Sequence, residues 1–307
     1  MAQDVATRVA QAIAHLGPHF NDEILKATYD LYVPLQREAP KGGIRVERDI
    51  AYGEDERHRL DVFQPQARST KAAPIVVFFH GGGYIAGARS PVPGLIYDNV
   101  PTFFARHGFI GVNATYRLAP MHRWPSGGED VGRVVAWLRV HGERFGGDPD
   151  RIFLVGHSAG ATHAATWSFI ERVHGPAGPR VAGVMLISGV YAALHPSFSN
   201  DPPRQNQFDY YGPDREAWWQ MAPFVHVKPD HPPVFIATSQ FEPYYYSWPS
   251  VALLEALVKV DRRMPRFRFL PGHNHASSAL QINCAIDTLG PDLLAFVEIV
   301  TSSRSLT

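Results

Sequence analysis

The segment Gly156-His157-Ser158-Ala159-Gly160 follows the apolar run Ile152 to Val155 and opens a stretch of helical character. A serine on a tight strand-to-helix turn is held in strained backbone geometry, and glycines two positions to either side let the chain fold back without side-chain collisions. In that setting Ser158 Oγ projects from the carboxyl end of a sheet, where open α/β folds bind ligands. The helix N-terminus beneath it favours developing negative charge. The chemistry predicted is nucleophilic attack by Ser158. The bland alternative is a glycine-flanked serine in an ordinary turn.

A second signal, His80-Gly81-Gly82-Gly83-Tyr84, follows the apolar run Ile75 to Phe79. Three glycines remove side chains, so backbone N–H groups can point at one ligand oxygen, as an oxyanion requires. Gly82 and Gly83 are the expected donors, joined by the N–H of Ala159. The rival reading is a phosphate-cradling loop. It lacks both the G-x-G-x-x-G spacing with its ribose-binding acid and a Walker lysine, which argues against a nucleotide.

A nucleophilic serine needs a base, and the base needs an orienting acid, in the chain order Ser, Asp or Glu, His for a fold of this class. Glu242 follows the apolar run Val234 to Ala237 and is the only carboxylate between Asp230 and Glu255. It is the expected acid. Two histidines compete downstream in Pro271-Gly272-His273-Asn274-His275. His275 is the expected base because it opens the following helix and leaves room for the chain to turn back, which leaves His273 a supporting or structural part. The H-x-H spacing could also chelate a metal, but no nearby cysteine or acid-rich segment completes a set, so no metal is expected. Aromatic residues crowd the segments flanking these groups. Tyr84, His157, Tyr210, Trp218, Trp219, Phe241 and Tyr244 are the expected substrate-binding residues, around an apolar cleft that accommodates rings. Packing alone accounts for about half of this aromatic content.

Around these motifs, strand-like runs alternate with helical periods. Two helices come first, with Val5, Val9, Ile13 and Leu16 on one face before Gly17-Pro18, and a second helix opening at Asn21. Strands are predicted at 45–51, 60–63, 75–79, 110–114, 152–155, 184–187, 234–237 and 267–270. Helices are predicted around 131–138, 159–174, 251–258 and 293–300. This alternation predicts an α/β architecture, a mostly parallel sheet with helices on both faces. Residues 191–228, rich in Pro, Tyr, Phe and Trp without a period, read as a lid insertion.

Composition narrows the classes further. Hydrophobic residues make up 45% of the 307, charged residues 19% and aromatics 12%, enough to bury a large core. Lys+Arg and Asp+Glu both total 29, so no basic excess argues for nucleic acid. No run approaches the ~18 apolar residues that cross a bilayer, and the single cysteine, Cys284, forms no internal disulfide. A soluble, cytoplasmic protein is expected.

HGGGY at His80 to Tyr84, Asn113-Ala114-Thr115-Tyr116-Arg117-Leu118-Ala119-Pro120, Glu129-Asp130-Val131 with Trp137-Leu138, and GHSAG together resemble the α/β-hydrolase superfamily. Within it the chain is similar to the hormone-sensitive-lipase-like esterases, and the GHSAGA and GHNH segments also resemble the kynurenine formamidase-like and feruloyl-esterase-like branches. The resemblance implies an eight-stranded sheet. It also implies an N-terminal cap over residues 1–45, a catalytic domain over 46–307, and carboxylesterase chemistry on a small-molecule ester without a cofactor. Pairing through edge strands into a homodimer would follow by the same analogy. One departure stands out. The family usually carries aspartate in a D-P-L setting where this chain has Glu242-Pro243-Tyr244, an arm one methylene longer. An aryl formamidase using the same triad is the alternative activity, and a non-catalytic ligand receptor is the alternative outside enzymes.

Overall fold

In the computed structural model, which describes residues 2–67, 70–192 and 203–304, two helices lead the chain, α1 (Ala2–Leu16) and α2 (Asp22–Glu38). Asn21 caps the second by accepting a hydrogen bond from the Ile24 amide at 2.9 Å, which satisfies one of the orphan donors of the first turn. The chain continues through β1 (Ile44–Ala51), β2 (Arg59–Pro65), β3 (Ala73–Phe79), α3 (Asn99–Arg106), β4 (Ile110–Ala114) and α4 (Ser126–His141). Next come β5 (Gly147–His157), α5 (Ala159–Phe169), α6 (Glu171–His174) and β6 (Gly183–Ile187). After α7 (Gln205–Tyr211) and α8 (Arg215–Trp218), in the segment expected to be a lid, the series closes with β7 (Val234–Phe241), α9 (Tyr244–Asp261), β8 (Arg266–Asn274), α10 (Ser277–Leu280) and α11 (Gly290–Arg304).

The strands form one eight-stranded sheet in the order β1-β2-β4-β3-β5-β6-β7-β8. β2 pairs antiparallel with both β1 and β4, and every other pairing is parallel. From β3 the chain moves to β4 on one side and returns to β5 on the other. A crevice therefore opens between the carboxyl ends of β3 and β5, the place where open α/β sheets bind ligands. Both glycine-rich motifs leave the sheet there.

Alternation along each strand feeds two cores. Val76, Phe78, Phe153, Val155, Met185 and Ile187 face one side, against α1, α2, α3 and α11. Ile75, Val77, Phe79, Ile152, Leu154 and Leu186 face the other, against α4, α5 and α9. Strands buried on both faces read as unbroken apolar runs, which is why β3 and β5 stood out in the sequence. The N-terminal helices, expected as a cap, contribute to the body as well: Val9, Ile13 and Tyr32 are buried in the first of these cores.

Three elements depart from the sequence-based expectation. The helix expected over 159–174 is interrupted at Ile170 (φ −98°, ψ 101°), which leaves helical geometry and is fully buried. Helix α3 carries no signal in the apolar pattern. Its Pro101 falls in the first turn, where the missing N–H has no intrahelical acceptor to lose. Within the aperiodic stretch 191–228, α7 forms with the Gln207 side chain accepting from the Arg204 amide at 3.0 Å. Of the stretch expected to be a lid, residues 193–202 lie outside the described residues.

Candidate active site

Ser158 is the single residue between β5 and α5, and it sits at φ 55°, ψ −123°, a conformation costly for any side chain. Its amide donates to Ile187 of β6 at 2.9 Å, and its carbonyl accepts from the amides of Ala161 and Thr162, so sheet and helix together hold the strain. Gly160 is required by close approach, since a Cβ there would collide with the carbonyls of Phe79 and His80. Helix α5 can therefore lean directly on the loop after β3.

The sheet brings three distant side chains to one line. His275 Nε2 lies 2.9 Å from Ser158 Oγ, and His275 Nδ1 lies 3.2 Å from Glu242 Oε1. Thr238 Oγ1 donates to the other carboxylate oxygen, Oε2, at 2.5 Å. Glu242 sits directly after β7, and His275 directly after β8, on neighbouring strands. All three groups are buried: Ser158 is 5% exposed, Glu242 5% and His275 1%. In this low-dielectric setting Nδ1–H donates to the carboxylate and Nε2 faces the serine hydroxyl, the tautomer a proton acceptor needs.

His157 supports the line from beneath. Its Nε2 donates to the His275 carbonyl at 2.9 Å, and Nδ1 lies 3.1 Å from the Tyr97 hydroxyl. Burial, helped by the neighbouring His275, lowers its pKa to about 3. His157 is therefore neutral and acts as a strut, adding no positive charge beside His275.

On the other side of Ser158, the loop after β3 turns back at Gly82 (φ 141°), where a Cβ would collide with the Ala86 carbonyl oxygen. The turn is closed by the Ala86 amide donating to Gly82 O at 3.0 Å. Gly83 and Tyr84 also have positive φ, 58° and 73°. The amides of Gly82 and Gly83 have no backbone acceptor among the described residues, and the Ala159 amide, at the first position of α5, has no intrahelical acceptor. His80 anchors the loop, with Nδ1 2.7 Å from Gly81 O and its ring stacked on Tyr116 at 4.5 Å. Burial lowers its pKa to about 3.

Of the expected substrate-binding residues, Tyr84, Tyr210 and Trp218 come together in one buried cluster with Ala159. Tyr84 stacks on Tyr210 at 4.4 Å and 6°, and its hydroxyl lies 3.3 Å from Thr162 Oγ1. Trp218 Nε1 donates to Gly212 O at 2.9 Å. The others are dispersed. Trp219 packs edge-on against Phe224, Phe241 is half-buried against the sheet core, and Tyr244 is 51% exposed and stacked on Trp248. His273 turns away from Ser158, with Nδ1 3.1 Å from Ser277 Oγ and 3.4 Å from the Tyr32 hydroxyl. Among the described residues, no group of three or more His, Cys, Asp or Glu stands together as a metal site.

Sequence reasoning placed Tyr246 among the aromatics that follow the acid and line the expected cleft, but not against the His275 ring, and it missed Phe20 and Asn206. Tyr246 stacks on the His275 ring with centroids 3.7 Å apart and planes at 17°, and Phe20 meets it edge-on at 4.6 Å. Asn206, from α7, donates to Gly83 O at 2.9 Å. A signal for Tyr246 existed: in Glu242-Pro243-Tyr244-Tyr245-Tyr246 it falls four residues after the acid, one helical turn on. Nothing in the sequence pointed from Phe20 to a residue some 250 positions away.

With this geometry in place, comparison with known proteins is informative. The profile of a family described as alpha/beta hydrolase fold matches residues 76–264. Esterase LipC of Mycobacterium tuberculosis is 27% identical over 247 residues, 76% of this chain and 60% of that protein. The chain thus spans about 60% of the length of this curated relative. Among solved structures, esterase B from Lactobacillus rhamnosis superposes with a TM-score of 0.72 at 18% identity, covering 92% of this chain and 95% of that one. A bacterial heroin esterase superposes at 0.68 with 23% identity, covering 89% and 90%. No helix among the described residues is long and apolar enough to cross a membrane.

Proposed function

The chain belongs to the alpha/beta hydrolase fold family, and from that premise we propose that it is a serine carboxylesterase acting on short to medium acyl or aryl esters through an acyl-enzyme. The observation that carries this reading is the unbroken line from Ser158 Oγ through His275 to Glu242. His275 takes the serine proton as Oγ attacks the ester carbonyl carbon. The amides of Gly82, Gly83 and Ala159 receive the developing oxyanion. His275 Nε2 then returns the proton to the departing alkoxide, and water repeats the sequence on the acyl-enzyme. Glu242, fixed by Thr238, holds the Nδ1–H tautomer and balances the imidazolium that forms in each half-reaction.

The buried Tyr84, Tyr210 and Trp218 beside Ala159 supply an apolar wall suited to a compact acyl group or a ring. The cap over 1–45 and the lid over 191–228 are part of this reading, with Phe20 and Asn206 reaching the site from those segments. A homodimer through the outer β8 edge, where Phe269 is 49% exposed, and a reducing cytoplasmic location for a chain with one cysteine complete it. Sedimentation velocity tests the first, since a monomer at micromolar concentration would remove it.

Hydrolysis of p-nitrophenyl esters from acetate to dodecanoate tests the activity. Wild type is expected to favour the shorter chains. Ser158→Ala and His275→Ala are expected to lose about 10⁴-fold or more in kcat, and His273→Ala to keep activity within about threefold, the range left to an indirect effect. Full turnover by Ser158→Ala would end this reading. Faster hydrolysis of an acyl anilide than of the matching phenyl ester would move it to an amidase.

A further inference from the structure

We infer that Tyr246 is a positioning residue for His275, and that Arg204 of the lid segment latches it in place. This rests on the proposed esterase reading and extends it to residues outside the triad and the oxyanion loop. The Tyr246 ring lies almost parallel to the imidazole at 3.7 Å, while Phe20 stands 4.6 Å from the imidazole and 5.9 Å from Tyr246. Those three separations make a near-right angle at His275. Tyr246 therefore covers the face of the ring and Phe20 covers an edge, and both contacts oppose rotation of the imidazole about χ2. The hydrogen bonds to Ser158 and Glu242 hold the two nitrogens. The aromatic contacts brace the ring plane that those bonds set.

The stack is itself held from outside the ring. Tyr246 is 6% exposed, in the first turn of α9, and its amide donates to Pro243 O at 2.9 Å, beside Glu242. Its neighbour Tyr245 takes the Arg204 guanidinium over its ring at 3.9 Å and accepts a hydrogen bond from it. The same guanidinium reaches Phe20 O at 3.4 Å. One lid arginine thus ties together the two segments that carry Phe20 and Tyr246. Burial raises the Tyr246 hydroxyl pKa, so that group stays protonated beside Ser158. The side chains facing His275 are Phe20, His157, Ser158, Glu242 and Tyr246.

A misplacement of about 1 Å in a reacting group can cost ~10² in rate. We therefore expect Tyr246→Leu to lower kcat about 10- to 100-fold with KM within about threefold. Tyr246→Phe, which keeps the face and loses only the hydroxyl, is expected to stay within about threefold of wild type. Arg204→Gln is expected to fall between the two. Rates are taken per active site titrated with an organophosphonate, so unfolded protein does not count, and Tyr246→Met replaces Tyr246→Leu if the latter fails to fold. The inference is overturned if Tyr246→Leu keeps wild-type kcat per titrated site, if its loss falls on KM, or if Tyr246→Phe is as slow as Tyr246→Leu, which would assign the effect to the hydroxyl. If instead the wild type turns over no ester, or Ser158→Ala is unaffected, the esterase reading itself fails, and the two failures are distinct.

Discussion

The two flanks of Ser158 are built in opposite ways. On one side, the loop after β3 and the start of α5 present main-chain amides of Gly82, Gly83 and Ala159, in a conformation that only glycine tolerates at Gly82. On the other, side chains from three separate stretches of chain converge: Phe20, then Thr238, Glu242 and Tyr246, then His275. A surface made of backbone is specified by what is absent from a short stretch of sequence, so it is compact and legible. A surface made of side chains is specified by where strands β7 and β8 end, so each member looks ordinary by itself.

The comparison can be broken from either flank. Glu242→Gln keeps shape and removes charge, and is expected to lower kcat about 10⁴-fold, because the neutral amide no longer selects the Nδ1–H tautomer or balances imidazolium. Steady-state kinetics on a p-nitrophenyl ester measure it, and a loss below tenfold would mean another group supports His275. On the backbone flank, Gly82→Ala is expected to cost about 10²–10³ in kcat, the loss of one oxyanion donor, because the new methyl would strike the Ala86 carbonyl and move the loop. Thr238→Val leaves Oε2 of Glu242 without its donor. The expected loss in kcat is about tenfold, that of one charge-assisted hydrogen bond acting through the acid.

The smallest effect at neutral pH is one of stability, and it involves both flanks at once. His80 on the glycine side, His157 beneath the serine and the buried His163 all have pKa values lowered to about 3, and His273 to about 4, in each case through burial. An unfolded histidine titrates near 6.5. Between these values the unfolded chain binds protons that the folded chain refuses. The stabilisation is therefore complete above about pH 6.5 and is lost as pH falls towards 3, at up to about 1.4 kcal/mol per histidine per pH unit. Calorimetry is expected to show a melting temperature that is flat above about pH 7 and falls steeply below pH 6. A flat profile down to pH 4 would show that these imidazoles accept protons in the folded state.

Much of this was legible before any coordinates. The apolar runs at Ile75 to Phe79 and Ile152 to Val155 located β3 and β5 because a strand buried on both faces needs no alternation. Helix α3 was not legible, since its Pro101 reads as a breaker until its place in the first turn is known. Helix α9 begins at Tyr244, seven residues before the apolar period at Val251 that marked it, with Pro249 inside it. Glu242 could be proposed by elimination alone, while the choice between His273 and His275 rested on room for the chain to turn. In the fold, Ser277 and Tyr32 take His273, and Ser158 and Glu242 face His275.

By itself, then, the sequence determined the alternating α/β architecture, the serine at a strand-to-helix turn and the glycine loop, since these depend on neighbouring residues and on where a Cβ can fit. Tertiary structure alone decided which aromatic ring covers His275 and which residue of α7 meets Gly83. Those contacts join residues tens to hundreds of positions apart, and no local propensity encodes a distance that only the packed sheet sets.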